Sequence, residues 1–240
     1  MSDRPARTRV SDLWVFGYGS LMWKPGFAFE EVRRATLVGY RRCFCIYSTH
    51  HRGTASRPGL VLGLDRGGAC HGLAFRIAPE RRRETLAYLA EREQINGVYR
   101  DVLAPVTLDG TPRLEVFALS HIVERCHPSY AGRLGLAEQA CLIRGAHGIS
   151  GPNLDYLVNT LAHLDELGIQ EPELRRLLTT IGGHFARSPT AANGSRPAST
   201  ALLNACRSTP VKAPRLKVLE RRRFVYRRQI SGWAALRGET

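Results

Sequence analysis

Between residues 14 and 120 the chain is a series of short β-prone runs broken by glycine. Only from residue 136 onward does it settle into helical patterns. Strands gathered early and helices gathered late point to an α+β fold: a closed or strongly curved mixed β-barrel with flanking helices. The runs at 14–18, 36–47, 60–64, 71–77, 102–108 and 114–120 read as strands. The second bends at Gly39. The next pair is joined through a turn at Asp65-Arg66-Gly67-Gly68, and the last pair through Asp109-Gly110-Thr111-Pro112. One helix interrupts them, at 79–94, opened by Pro79. Three more are predicted at 136–146, 153–167 and 172–181, the last two stopping at Gly168 and at Gly182-Gly183.

After residue 185 the chain is rich in Ala, Ser, Pro, Gly and Arg and loses periodicity. The expected organisation is an N-terminal extension at 1–12, a domain at 13–185 and a disordered basic tail at 186–240. The net charge of +14 sits mostly in that tail, where twelve Lys or Arg meet two acids. Only Lys24, Lys212 and Lys217 are lysines, so the arginines reflect overall composition more than selected phosphate contacts. The tail also lacks interleaved aromatic platforms. Nucleic-acid binding through the tail is therefore the rival of a different class rather than the first reading.

No run of about 18 apolar residues is present, and the polar N-terminus carries no signal-peptide core. A cytoplasmic, monomeric protein without a membrane partner is expected. The six cysteines form no framework and read as free thiols.

Two features carry chemistry. In Tyr18-Gly19-Ser20-Leu21 the glycine lets a ligand approach the backbone, and consecutive N–H groups at a strand end can bind an anion or a carbonyl oxygen. A plain structural turn is the other reading. On the 79–94 helix, Leu86, Leu89, Ala90 and Glu93 share one face, while Glu80, Glu84 and Glu91 share the opposite one. Glu93 then places a carboxylate at the end of an apolar stripe, suited to moving protons near neutral pH. Alternatively it pairs with Arg92 or Arg100. The segment Ser48-Thr49-His50-His51-Arg52-Gly53 either lines a pocket or caps a loop. Cys43 and Cys45 point to one side of a strand but have no second ligand pair. No phosphate-binding P-loop and no G-x-S-x-G elbow occurs.

Several separated stretches together resemble the ChaC-like glutathione-specific γ-glutamylcyclotransferases. They are residues 14–24; Ser48 to Gly53 followed by Arg57-Pro58-Gly59; Tyr88-Leu89-Ala90-Glu91-Arg92-Glu93 followed by Gly97-Val98-Tyr99-Arg100; and Gly151-Pro152-Asn153 with Asp155-Tyr156-Leu157. The resemblance spans residues 13–178. It implies a compact γ-glutamylcyclotransferase-like fold and cleavage of glutathione to 5-oxoproline and cysteinylglycine, with no cofactor and no metal. It places the substrate loop on Tyr18, Gly19, Ser20 and Leu21, the catalytic carboxylate on Glu93, and a pocket residue on Tyr99. Val98 stands where the family has a second glycine, and Gln94-Ile95-Asn96 lengthens the loop before it.

Overall fold

The computed structural model describes residues 12–93 and 97–185, with only the backbone given for Glu93, His184 and Phe185. The proposed tail and nearly all of the N-terminal extension lie outside the described residues. Five strands, β1 (Leu13–Gly17), β2 (Glu31–Ser48), β3 (Gly59–Ile77), β4 (Tyr99–Leu108) and β5 (Leu114–Val123), close into a barrel in the order β1-β3-β2-β4-β5. The pairings are antiparallel except at β5, which meets β1 in parallel through Trp14 opposite Ala118 and Val15 opposite Leu119, and β3 in parallel at Leu64 opposite Ile122. The α+β barrel expected from the order of elements is the observed fold.

The expected turn at residues 65–68 is not a turn. β3 runs unbroken through it for 19 residues, paired along β2. Gly67 and Gly68 take φ of 105° and 71°, opposite Gly39 at 88°, and the register slips there between Val38 and Tyr40. Positive φ at three facing glycines lets two long strands bend together instead of ending, which is how a two-strand ribbon wraps a barrel. Asp65, assigned to that turn, is buried. Burial alone would raise its pKa. Hydrogen bonds from Arg125 (2.7 Å), the Arg66 backbone and Tyr130 (3.0 Å) outweigh burial and hold it below the usual carboxylate range.

A one-turn 3₁₀ segment (Pro79–Arg81) leads into α1 (Arg82–Glu93). Helices α2 (Leu136–Gly145), α3 (Asn153–Glu166) and α4 (Pro172–Phe185) pack on one another and on the barrel. α4 passes straight through Gly182-Gly183. Glycine in a helix costs only about 1 kcal/mol against alanine, and burial of Leu174, Leu177 and Ile181 on one face outweighs it. Asn153 at the start of α3 is fully buried. Its amide accepts from the Leu60 N–H (2.6 Å) and donates to the Leu60 carbonyl (2.8 Å), so it replaces a neighbouring strand at the edge of β3.

Cys43, Cys45, Cys70 and Cys126 are free thiols, whereas Cys141 is disulfide-bonded, contrary to expectation. Spacing along the chain does not reveal which thiols the fold brings together. No helix among the described residues is long and apolar enough to cross a membrane.

Candidate active site

β1 ends at Gly17, and the chain turns through Tyr18 and Gly19 into a single 3₁₀ turn, Ser20–Met22. The turn is closed by Met22 N–H to Gly19 C=O (2.9 Å) and Lys24 N–H to Ser20 C=O (2.8 Å). The first N–H groups of any helical turn have no partner within it. Among the described residues, those of Gly19, Ser20 and Leu21 donate to no acceptor. Tyr18, Leu21 and Met22 are buried in the core, so their side chains anchor the loop and leave its backbone to face outward. A Cβ built on Gly19 would find only Leu62 Cδ1, at 4.0 Å, so the space beside that backbone is open.

Two arginines hold the loop in place. Arg42 on β2 is buried, with no exposed side-chain surface. Its guanidinium donates to the Tyr18 carbonyl, to the His71 carbonyl (2.7 Å) and to the carboxylate of Glu171, between α3 and α4. Burial pushes Glu171 above the ordinary carboxylate range, and the charge of Arg42 opposes that shift. Arg92, in the last turn of α1, donates to Ser20 Oγ (2.9 Å), to the Lys24 carbonyl (2.6 Å) and to the Tyr88 hydroxyl (2.9 Å). α1 therefore ends against the glycine loop.

Glu93 is the last residue of α1, immediately after Arg92. Its side chain lies outside the described residues. Of the residues grouped with it in the sequence, Leu89 is buried and Leu86 and Ala90 are half-buried, while Glu80, Glu84 and Glu91 are exposed.

Tyr99 opens β4, and its hydroxyl donates to the Leu62 carbonyl (3.0 Å). Leu62 thus links Tyr99 to the open side of Gly19. Val98 is buried with Cys45, Ile46 and Val123, which accounts for a side chain where the family resemblance has glycine. Ser20 therefore meets the end of α1, with Tyr18, Gly19 and Leu21 beside it in the loop, and Tyr99 reaches the loop only by way of Leu62. The 48–53 segment does not join them. His50, His51 and Arg52 hydrogen-bond to Ile149, Ser150 and Pro152, locking one loop to another. Among the described residues no group of three or more His, Cys, Asp or Glu is placed to hold a metal ion.

Sequence reasoning missed the two arginines. For Arg42 a signal was present: Arg42 and Phe44 alternate on one face of β2, so the arginine occupies a core position. Its bond to Tyr88 is local, but nothing local marks Arg92 as a holder of the loop, because its loop partners lie 67 to 72 residues away.

The ChaC-like protein family model matches residues 13–183. A glutathione-specific gamma-glutamylcyclotransferase of Escherichia coli K12 is 38% identical over 169 residues, covering 70% of this chain and 72% of that protein. Glutathione-specific gamma-glutamylcyclotransferase 1 of Mus musculus is 34% identical over 174 residues, 71% of this chain and 78% of that one. The crystal structure of a yeast gamma-glutamyl cyclotransferase specific to glutathione superposes with a TM-score of 0.65 at 24% identity, covering 72% of this chain and 97% of that one. The barrel is the same fold.

Proposed function

This chain belongs to the ChaC-like family, and on that premise we propose how it degrades glutathione as a γ-glutamylcyclotransferase, releasing 5-oxoproline and cysteinylglycine. The γ-glutamyl unit carries its own nucleophile. Its α-amine, folded back, attacks the γ-carbonyl carbon and closes a five-membered lactam as the bond to the cysteinyl nitrogen breaks. No water or enzyme nucleophile is consumed. Correctly oriented intramolecular attack lowers a barrier by about 7–11 kcal/mol.

The protein's share is to hold the folded conformer, stabilise the carbonyl oxygen as it gains charge, and move protons. We assign the first two tasks to the N–H groups of Gly19, Ser20 and Leu21 beside Tyr18, with Tyr99 shaping the pocket. Donors of this kind contribute roughly 3–4 kcal/mol each to a transition state. Glu93 takes one proton from the α-ammonium to free the amine and delivers it to the departing nitrogen, and the second proton that the nitrogen loses as the lactam forms leaves to solvent. The observation that carries this reading is the row of unpartnered N–H groups, held by Arg92 against the helix that ends in Glu93. We assign the catalytic unit to residues 13–185, acting as a cytoplasmic monomer and without nucleic acid.

Gly19→Val tests the loop directly. Gly19 has open space beside it, with only Leu62 Cδ1 at 4.0 Å from where a Cβ would stand. The variant should keep the fold, read as a circular dichroism spectrum like that of wild type, yet lose most of its kcat/KM for glutathione. Unchanged kinetics would remove the loop from the site. Tyr99→Phe, which removes only the hydroxyl bonded to Leu62, should cost about 1 kcal/mol of stability and raise KM more than it lowers kcat. An equal fall in both kcat and kcat/KM would mean that the hydroxyl acts in the chemical step. Substrate choice is tested by comparing glutathione with γ-glutamyl-alanine. Preference for glutathione supports the assignment, and equal turnover would make this a general γ-glutamyl-amine cyclotransferase.

A further inference from the structure

Cys43 and Cys45 take no part in the proposed reaction, and the fold places their thiols together. They alternate on β2 and share a face outside the Arg42–Phe44 side. Residues two apart in a flat strand stand about 6.6 Å apart, near the upper limit a disulfide spans. Here the strand is not flat. β2 slips register between Phe44 and Ile46, leaving Cys45 as a bulge residue with no partner on β3, and a bulge bends its strand. Cys43 packs against the cluster that holds Cys45, Ile46, Val98 and Val123. Cys43 is half-exposed and Cys45 is buried.

Charges around the pair favour its reactivity. The guanidinium of Arg41 lies beside Cys43 and 3.8 Å from Asp65, which Arg125 also holds. The hydrogen bond from Cys45, with help from Arg41, keeps Cys43 below the ordinary thiol range against burial and Asp65. Cys45 is pushed up, chiefly by its bond to Cys43 and by burial. A half-exposed, acidified thiol in front of a buried one matches an attacking and a resolving cysteine.

We propose that Cys43 and Cys45 form a redox modification site that exchanges with glutathione disulfide, the oxidised form of the enzyme's own substrate. The Cys43 thiolate attacks one sulfur of the disulfide, forming a mixed disulfide and releasing one glutathione thiolate, which takes up a proton. Cys45 then gives up its proton and attacks the Cys43 sulfur, releasing a second glutathione. Two protein thiols are oxidised to one disulfide as one glutathione disulfide is reduced to two thiols. Cys45 packs in the same cluster as Val98 and Tyr99, so closing this disulfide acts on the wall of the active site. Only the choice of oxidant and this last effect rest on the proposed function.

The test uses the full chain, incubated with glutathione disulfide, alkylated and cut with trypsin. The peptide of residues 43–52 holds both thiols and no other cysteine. The expected result is loss of both free thiols from that peptide, with an internal disulfide in its place and two glutathione molecules released. Cys45→Ser should instead retain one glutathione on Cys43, and Cys43→Ser should take up none at this peptide. Two free thiols in the wild-type peptide after treatment, or no trapped glutathione in Cys45→Ser, would overturn the proposal. These readings need no cyclotransferase activity, so their failure is distinct from failure of the proposed function. Oxidised wild type should also turn over glutathione more slowly until treated with dithiothreitol, with Cys43→Ser/Cys45→Ser indifferent to both reagents. Equal rates before and after oxidation would contradict the effect on the active-site wall.

Discussion

Glu93→Gln should lower turnover of glutathione by about 10²- to 10⁴-fold, the usual contribution of a positioned general acid–base group. The amide keeps the size and hydrogen-bonding reach of the carboxylate but neither accepts the proton of the α-ammonium nor returns one to the leaving nitrogen. The loop N–H groups to which we assign the carbonyl oxygen are untouched, so affinity for glutathione, measured by calorimetry on the inactive variant, should stay near that of wild type. A turnover within a few-fold of wild type would take Glu93 out of the mechanism. A loss of affinity without loss of maximal rate would make it a binding residue instead.

Arg42→Met should have the largest effect on the fold, about 3–5 kcal/mol, as expected when one partner of a buried ion pair is removed. The methionine fills much of the space but leaves the Tyr18 and His71 carbonyls without their donor and Glu171 without its cation. In a domain of this size the midpoint of thermal unfolding falls by roughly 10 °C. The pH dependence follows from Glu171, whose folded-state pKa burial already raises. A carboxyl with a raised folded pKa adds stability below its unfolded pKa and loses it as the pH rises through the folded value. Without Arg42 the rise is greater, so the deficit of the variant should be largest at neutral pH and shrink on acidification. Because Arg42 holds the Tyr18 carbonyl, whatever variant remains folded should also bind glutathione less well. A change in melting temperature of only a degree or two would mean that Arg42 is not the anchor of the loop.

What the sequence revealed and what it hid follow a physical division. Strands β1, β4 and β5 and the helices α2 and α3 were legible because local signals agree with tertiary burial: β-prone runs ending at glycine, and Gly-Pro ahead of Asn153. β3 was misread as two strands because Gly67-Gly68 is a turn signal when seen alone. It becomes a bend only when Gly39 of β2 lies across from it. α4 outran its predicted stop because the burial of Ile181 and its neighbours is decided by partners elsewhere in the chain. At the candidate site, the Tyr18–Leu21 stretch stands out in the sequence because an interrupted apolar strand is unusual in itself. Arg42 and Glu171 are 129 residues apart, and no local pattern joins them.

The central claim is tested most directly by the products. Purified protein is incubated with glutathione, and the mixture is analysed by mass spectrometry beside a parallel incubation of Glu93→Gln. The account predicts 5-oxoproline and cysteinylglycine in equal amounts from wild type and neither above background from the variant. Free glutamate in place of 5-oxoproline would mean that water, not the substrate's own amine, attacks the γ-carbonyl. No product from wild type, with γ-glutamyl-alanine equally untouched, would contradict the account altogether.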